Sequence, residues 1–279
     1  TGLYCVQASY CPIVSNTAEI SVSLAIDGEV PYDTASRLKL NKVYQNQSEI
    51  KTDDSGNQVR PTQEQTELWQ TSWIGDSDGL FNDPVFFYLE KGTHEITLSS
   101  QKAYFALESL RFAQPDEVPT YAEYTDSVNA AVSKEDTPSG VVRIEGENAV
   151  LKSDSVLYPT YDPKHMVYNT IGSGNWEKAL QTITWKVDAN ALPGDGWYKL
   201  GIKARQEEMR GFYSNRRIYI DGTVPSQEFD QVKFYYDTDF RMTTVQNGDG
   251  EDVYVYLTAG EEHTITMEVI PGEIGDSMR

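Results

Sequence analysis

The sequence predicts an all-β protein built as two tandem β-sandwiches, and three observations carry that expectation. First, apolar and polar residues alternate over short runs. These are Ile20-Ser21-Val22-Ser23-Leu24-Ala25-Ile26, Arg217-Ile218-Tyr219-Ile220, Val253-Tyr254-Val255-Tyr256-Leu257 and His263-Thr264-Ile265-Thr266-Met267-Glu268-Val269. Successive side chains on a strand point to opposite faces, so a period of two marks a strand with one face buried. Second, Gly, Pro, Asn and Asp break the chain at short intervals, while aromatic residues are plentiful, with 18 Tyr, 5 Trp and 9 Phe. Short runs between turn signals are typical of sandwiches and barrels. Third, the chain repeats itself.

The repeat sets the order of elements. Gly2-Leu3-Tyr4 recurs 194 residues later as Gly196-Trp197-Tyr198, and Ile26-Asp27-Gly28-Glu29-Val30-Pro31 recurs at the same spacing as Ile220-Asp221-Gly222-Thr223-Val224-Pro225. The second motif reads as a strand ending in a tight turn. Asp-Gly supplies positive φ, and Pro, lacking a donor, stops the ladder. Gly56, in Asp53-Asp54-Ser55-Gly56, keeps the spacing with Gly250, in Asn247-Gly248-Asp249-Gly250. Leu89-Glu90-Lys91-Gly92 then aligns with Leu257-Thr258-Ala259-Gly260 at a spacing of only 168. The first copy is therefore expected to carry 26 extra residues after Gly56, with Trp69 and Trp73 inside them.

Neither copy reads as whole. The second has residues 141–195 ahead of its Gly-x-Tyr motif, whereas the first begins at that motif. The first runs on into Tyr104-Phe105-Ala106-Leu107-Glu108-Ser109-Leu110-Arg111-Phe112, for which the second has no equivalent. A sandwich lacking a strand exposes unpaired backbone at an edge, so the chain is expected to be an excerpt of a longer polypeptide. Between the copies, Gln114-Pro115-Asp116-Glu117-Val118-Pro119 and Lys134-Glu135-Asp136-Thr137-Pro138-Ser139-Gly140 bound a linker, with a short helix over Tyr121 to Val132. The expected organisation is a first sandwich over 1–113 lacking its N-terminal strands, a linker over 114–139, and a second sandwich over 140–279 lacking its C-terminal strand.

Composition removes several functions. The 279 residues carry 23 Lys and Arg against 43 Asp and Glu, a formal net charge of −20. That balance argues against nucleic acid and against an anionic membrane surface, both of which are bound through Lys and Arg. No apolar run approaches the ~20 residues of a spanning helix, so no direct membrane insertion is expected. Two Cys and three His leave little material for a Cys/His zinc cluster. Cys5 and Cys11 lie six apart, a span of ~20 Å when extended and too long for a disulfide without a turn.

No catalytic arrangement stands out. His94 and His263 take matching places in the repeat, which suits a structural role. His165 has no Ser or Cys nucleophile motif beside it, and Gly172-Ser173-Gly174 lacks the helix a phosphate loop needs. The expectation is that the chain is not an enzyme.

Several motifs together resemble a known family. Val142-Arg143-Ile144-Glu145-Gly146-Glu147-Asn148-Ala149 resembles the Glu-x-Glu opening of jelly-roll carbohydrate-binding modules that hold a structural calcium. A wider resemblance covers nearly the whole chain. It rests on Ile26 to Tyr32, on Asp54-Ser55-Gly56-Asn57 with Arg60-Pro61, and on Trp69. In the second copy it rests on Gly174-Asn175-Trp176, on Ile183-Thr184-Trp185, and on Gly211-Phe212-Tyr213-Ser214-Asn215-Arg216-Arg217 leading into Ile218-Tyr219-Ile220-Asp221-Gly222. These are similar to the paired β-sandwich modules ahead of the solute-binding domain in large extracellular ABC-transporter substrate-binding lipoproteins of Gram-positive gut bacteria. The resemblance implies jelly-roll-like sandwiches, a surface-attached bacterial location, a sugar partner, and a transporter permease met through the rest of the polypeptide.

Candidate residues follow from that chemistry. Glu145 and Glu147, two apart on an expected strand, would turn both carboxylates to one face, and clustered oxygens suit calcium. The alternative is two solvated glutamates. Sugar binding needs aromatic faces for the C–H surface of a pyranose and planar polar groups for its hydroxyls. Trp176 with Asn175, Trp73, Trp69, Tyr213 and Tyr236 are the chosen positions, with Phe212, Tyr235 and Phe240 nearby; the alternative is that loop aromatics plug the sandwich ends. Trp185 and Trp197 fall within strand patterns and are expected in the core. Three functional readings remain: a non-catalytic glycan-binding module pair, a spacer of the same fold that touches no sugar, and an accessory module of a secreted glycoside hydrolase.

Overall fold

Strand forms wherever the sequence alternates. A computed structural model describes residues 1–17, 19–132, 138–161 and 166–273; His165 and the acidic stretch 134–137 lie outside them. In chain order the strands of the first half are β1 (Gly2–Pro12), β2 (Ile20–Ile26), β3 (Leu38–Leu40), β4 (Tyr44–Asn46), β5 (Lys51–Thr52), β6 (Gln58–Val59), β7 (Gln63–Gln65), β8 (Gln70–Trp73), β9 (Phe86–Leu89), β10 (Ile96–Lys102) and β11 (Phe105–Ala113). Helix α1 (Tyr121–Ala131) follows, then β12 (Leu151–Lys152), β13 (Pro159–Tyr161), β14 (Tyr168–Ile171), β15 (Thr182–Val187), β16 (Gly196–Lys199), β17 (Gly201–Ala204) and β18 (Tyr213–Ile220). The chain continues through the short helix α2 (Gln227–Asp230), β19 (Val232–Tyr235), β20 (Arg241–Thr244), β21 (Tyr254–Leu257) and β22 (His263–Ile270). The protein is all-β, with antiparallel pairing throughout its sheets.

The chain divides into two compact units, one of Thr1–Asp116, Ala149–Ile183 and Val269–Arg279, the other of Glu117–Asn148 and Thr184–Glu268. This division differs from the expected 1–113, 114–139 and 140–279. Residues 149–183 group with the first unit because β12 enters a ladder there: Lys152 pairs with Tyr44 of β4, and Tyr44 with Gln65 of β7. The linker helix groups with the second unit.

In the first unit, β11–β1–β8 with β9 forms one sheet and β10–β2–β3 another. Between them lie Val6, Ala8 and Tyr10 of β1, Ile20, Val22 and Leu24 of β2, and Leu38, Leu40, Ile74 and Phe87. Each such aliphatic side chain contributes ~1.5–3 kcal/mol through burial. Tyr10 buries its ring and donates its hydroxyl to the Asn41 carbonyl at 3.0 Å, so no polar atom is stranded. Two lysines are also buried. Lys42 Nζ donates to the Ser15 carbonyl and Oγ, the Thr17 carbonyl and Gln65 Oε1; Lys152 Nζ donates to Asn46 Oδ1 at 2.6 Å and Gln63 Oε1 at 3.0 Å.

In the second unit, β18 pairs with β19 on one side and β22 on the other, and β16 and β17 pair with β21 and β20. Ile218, Ile220, Phe229, Val232, Phe234, Val245, Val255 and Met267 are buried. Helix α1 is capped by Thr120, with Glu123 closing a capping box. Its Tyr121 and Tyr124 hydroxyls accept the N–H groups of Tyr254 and Tyr256, each at 3.0 Å, and so seal the outer edge of β21.

The repeat is real, and strand register corrects its alignment. Gly2 to Cys5 pair with Leu89 to Phe86 as Gly196 to Lys199 pair with Leu257 to Tyr254. Val22 opposes Leu38 as Arg216 opposes Val232, so the spacing of 194 holds as far as β3 and β19. In both copies the Asp of Asp-Gly has positive φ, 53° at Asp27 and 49° at Asp221, followed by Gly28 at 86° and Gly222 at 80°. Only glycine takes the second position without strain.

The match of Gly56 to Gly250 fails. Gln7 opposes Trp73 as Gly201 opposes Thr244, so β8 corresponds to β20 at a spacing of 171. The turn after β20, where Asn247 Oδ1 accepts from the N–H groups of Asp249 and Glu251, therefore matches the turn after β8, where Asp76 accepts from Asp78 and Leu80. The fall from 194 to 171 places 23 extra residues between β3 and β8, and the further fall to 168 by β9 places three more in the β8–β9 loop. Trp73 lies on the common strand β8, outside the insertion; Trp69 precedes it.

Candidate functional site

Two loops of the second unit, 205–212 and 236–240, are tied together at one end of its sandwich. The Tyr236 N–H donates to the Phe212 carbonyl at 3.0 Å, and the Asp237 N–H to the Gln206 carbonyl at 2.8 Å. Gln206 Oε1 accepts from the N–H groups of Glu208 and Met209, and Gly211, at φ 86°, lets the chain re-enter β18. Asp237 Oδ1 accepts from the Asp239 N–H and Oδ2 holds Arg241 Nε at 2.7 Å. That backbone hydrogen bond and the guanidinium keep the Asp237 carboxyl below the usual carboxylate range.

An aromatic surface sits on this frame. Tyr213 and Tyr235 face each other across β18 and β19, with ring centres 5.4 Å apart and planes at 63°. Lys233 Nζ lies 5.0 Å from the Tyr213 ring centre, and Arg205 stacks on Phe240 at 5.0 Å while pairing with Glu207 at 3.0 Å. Tyr235 is 67% exposed and Phe212 54%. The exposed rings of Tyr235 and Phe212, close in the chain to Asp237 and Arg241, can take up a flat apolar face with hydroxyls at its rim.

The expected site residues separate between the units. Tyr213 and Tyr236 belong to the second, and both are half-buried. Trp69, Trp73, Asn175 and Trp176 belong to the first. Trp69 is 56% exposed, whereas Trp73 is half-buried on β8 opposite Gln7. Trp176 is half-buried: its indole Nε1 donates to the Gln181 carbonyl at 3.4 Å, and its ring packs on Gly172, where a Cβ would come within 3.0 Å. Asn175 closes the 3-10 turn Ser173–Asn175 ahead of it. Trp73 and Trp176 are thus both partly buried, and Trp176 is partly committed to packing. Trp185 and Trp197 are half-buried, Trp185 donating to the Gly146 carbonyl at 2.8 Å and Trp197 packing edge-on to Tyr124 and Tyr256.

Glu145 and Glu147 do not lie on a strand. Glu145 is in extended coil and Glu147 in the 3-10 turn Gly146–Asn148, which Trp185 holds through Gly146, and no strand among the described residues pairs with this stretch. The geometry expected of a pleated strand is therefore absent. Glu145 Oε1 is paired with Arg143 Nε at 2.6 Å. Glu147 Oε2 is buried with no hydrogen-bond partner; burial, then the charge of Glu145, raise its pKa above the usual carboxylate range. That orphaned oxygen suits a hard cation. Calcium takes ~6–8 oxygens, and no group of three or more His, Cys, Asp and Glu able to hold a metal occurs among the described residues.

The spacing of Lys233 and Tyr235 in Val232-Lys233-Phe234-Tyr235 puts both on one strand face, the signal that links them to this surface. Both described histidines bridge the Asp of an Asp-Gly turn and a backbone carbonyl. His94 Nδ1 meets Asp27 Oδ2 at 2.6 Å and its Nε2 the Glu90 carbonyl at 2.8 Å; His263 meets Asp221 Oδ2 at 2.7 Å and the Thr258 carbonyl at 2.8 Å. No helix among the described residues is long and apolar enough to cross a membrane. In comparisons with known protein families, curated proteins and solved structures, the chain matches no family model, no curated protein and no solved structure.

Proposed function

We infer that the chain is a non-catalytic, carbohydrate-binding-like module pair of a secreted or surface-attached bacterial protein, part of an ABC-transporter sugar-binding lipoprotein whose remainder meets the permease. The second unit takes the glycan on Tyr235 and Tyr213. One observation supports this most: Tyr235 is 67% exposed while its ring is fixed against Tyr213, itself backed by Lys233. A ring positioned in advance loses little entropy on stacking against a pyranose, and Arg241 and Asp237 supply planar groups for hydroxyls.

Glycan-array binding followed by calorimetry tests this reading. Tyr235→Ala should weaken binding of any array-positive glycan by at least about tenfold, with unchanged melting. Unchanged affinity would refute this use of the surface. A second reading, a spacer that touches no sugar, is supported by the half-burial of Trp73, Trp176 and Tyr236; absence of binding to every glycan would favour it. An accessory role beside a glycoside hydrolase is separated by the domain that accompanies these units in the full polypeptide.

A further inference from the structure

The first unit carries an exposed cation that its many carboxylates leave alone. In that unit Arg37 pairs with Asp78, and Lys39 and Lys102 pair with Glu19. Arg60 is exposed and pairs with no carboxylate among the described residues; its guanidinium lies instead over the Tyr158 ring, 4.0 Å from the ring centre. In a chain where 23 Lys and Arg meet 43 Asp and Glu, an arginine without a carboxylate stands out. A guanidinium stacked on a ring keeps its N–H donors at the rim, where an incoming carboxylate can take two of them at once.

The surroundings of Arg60 are aromatic and belong to the first copy alone. Arg60 follows β6, in the stretch between β3 and β8 where that copy carries 23 extra residues. Two contacts lay this strip along the β13–β14 hairpin of the same unit. Gln58 Oε1 accepts from the Tyr168 N–H at 2.6 Å, and Arg60 reaches Tyr158, the residue just before β13. At the other end of β13, Tyr161 stands opposite Tyr168, with ring centres 5.6 Å apart and planes at 77°. Tyr161 is 46% exposed. Tyr158 and Tyr161 are three residues apart on extended chain, a separation of ~10 Å, which is the reach of two linked sugars.

We propose that Arg60, Tyr158, Tyr161 and Tyr168 form a second glycan site, in the first unit, for an acidic oligosaccharide whose sugars carry carboxylates. Arg60 takes the carboxylate of one sugar in its fork, and Tyr161, braced by Tyr168, takes the C–H face of the next. One cation beside one open ring matches a ligand with a charge on each ring-sized unit. An acidic peptide, held by charge alone, would call for a row of cations. The site rests on the glycan-binding reading of the chain and is independent of Tyr235.

Calorimetry with oligosaccharides of galacturonate and of glucuronate, their carboxyl-reduced forms and polyglutamate tests the site. At least one uronate should bind with a Kd at or below about 1 mM. Reducing its carboxylates to alcohols, Arg60→Gln and Tyr161→Ala should each weaken binding at least about tenfold. Arg37→Gln, which removes the same charge from the same unit, should bind as wild type, and so should Tyr235→Ala, which alters only the surface of the second unit. Binding of neither uronate, equal binding of a reduced form or of polyglutamate, or an equal loss in Arg37→Gln or Tyr235→Ala overturns the proposal.

Discussion

Replacing Asp221 by Asn should make the stability of the second unit lose its dependence on pH around neutrality. His263 lies between two groups that only accept hydrogen bonds: Asp221 Oδ2 at 2.7 Å from Nδ1 and the Thr258 carbonyl at 2.8 Å from Nε2. Both contacts can be hydrogen bonds only if both ring nitrogens carry protons, so the geometry selects the imidazolium. Burial opposes that charge, but the Asp221 hydrogen bond, the Thr258 carbonyl and the Asp221 charge outweigh it and raise the His263 pKa above its ordinary value. A charge-assisted hydrogen bond contributes ~1.5–3 kcal/mol. Asp221 is 47% exposed, and solvent screening lowers the figure to about 1 kcal/mol.

The sign follows from linkage. With the folded pKa above the unfolded one, the stabilisation is complete below about pH 6.5 and is lost as pH rises through the folded value. In Asp221→Asn the new amide can keep the bond to the Thr264 N–H, since that bond uses Oδ1, and its NH2 group can donate to a neutral His263. Urea unfolding of wild type and Asp221→Asn from about pH 5 to 9 should therefore show a gap of about 1 kcal/mol in acid that closes in alkali. A gap independent of pH would refute the imidazolium assignment.

Other outcomes follow from the same structure. Burial pushes the Lys152 ammonium down to about 8, since its partners are the amide oxygens of Asn46 and Gln63. The folded state then disfavours the charged form, so stability should rise with pH between about 8 and 10.4. In Lys152→Met this rise should vanish, and a persistent rise would refute its assignment to Lys152. Tyr124→Phe leaves the Tyr256 N–H without its acceptor and should cost about 1 kcal/mol in chemical denaturation, with faster exchange at Tyr256; unchanged exchange would count against the sealed edge. If Glu147 Oε2 takes up calcium, a chelator should lower the melting temperature, and an unchanged melting temperature would count against a site at Glu145 and Glu147.

Legibility followed the range of the forces involved. β2, β18, β21 and β22 are readable because alternation is local, and helix α1 because it forms over the local stretch that follows Pro119. The Asp-Gly turns were readable for the same reason. The turn at Gly56 misled because Asp53 also accepts hydrogen bonds two and four residues on, from Ser55 and Asn57, just as Asp76 does from Asp78 and Leu80. Only the distant pairing of Gln7 with Trp73 tells the two apart. A strand at Glu145 depended on a partner strand that nothing local could reveal. The Trp176 ring packs where Gly172 adopts φ 101° and leaves it room, a backbone choice invisible in a Gly-Ser-Gly-Asn run. Lys42 and Lys152 were missed because charges are ordinarily solvated, and their acceptors come from β4, β7 and the 15–17 loop together.

The seal on β21 has a consequence for how freely its surroundings can change. A strand on that edge would need matching backbone along several residues, and any insertion would shift the register of the whole row. Two phenol hydroxyls impose far less. Helix α1 has no buried residue, and its contact with the edge comes through Tyr121 and Tyr124, one turn apart. The remaining helix positions, and the length of the segment that delivers it, can drift without reopening the edge. The edge of β21 is thus closed by two side chains where another sheet would use a strand.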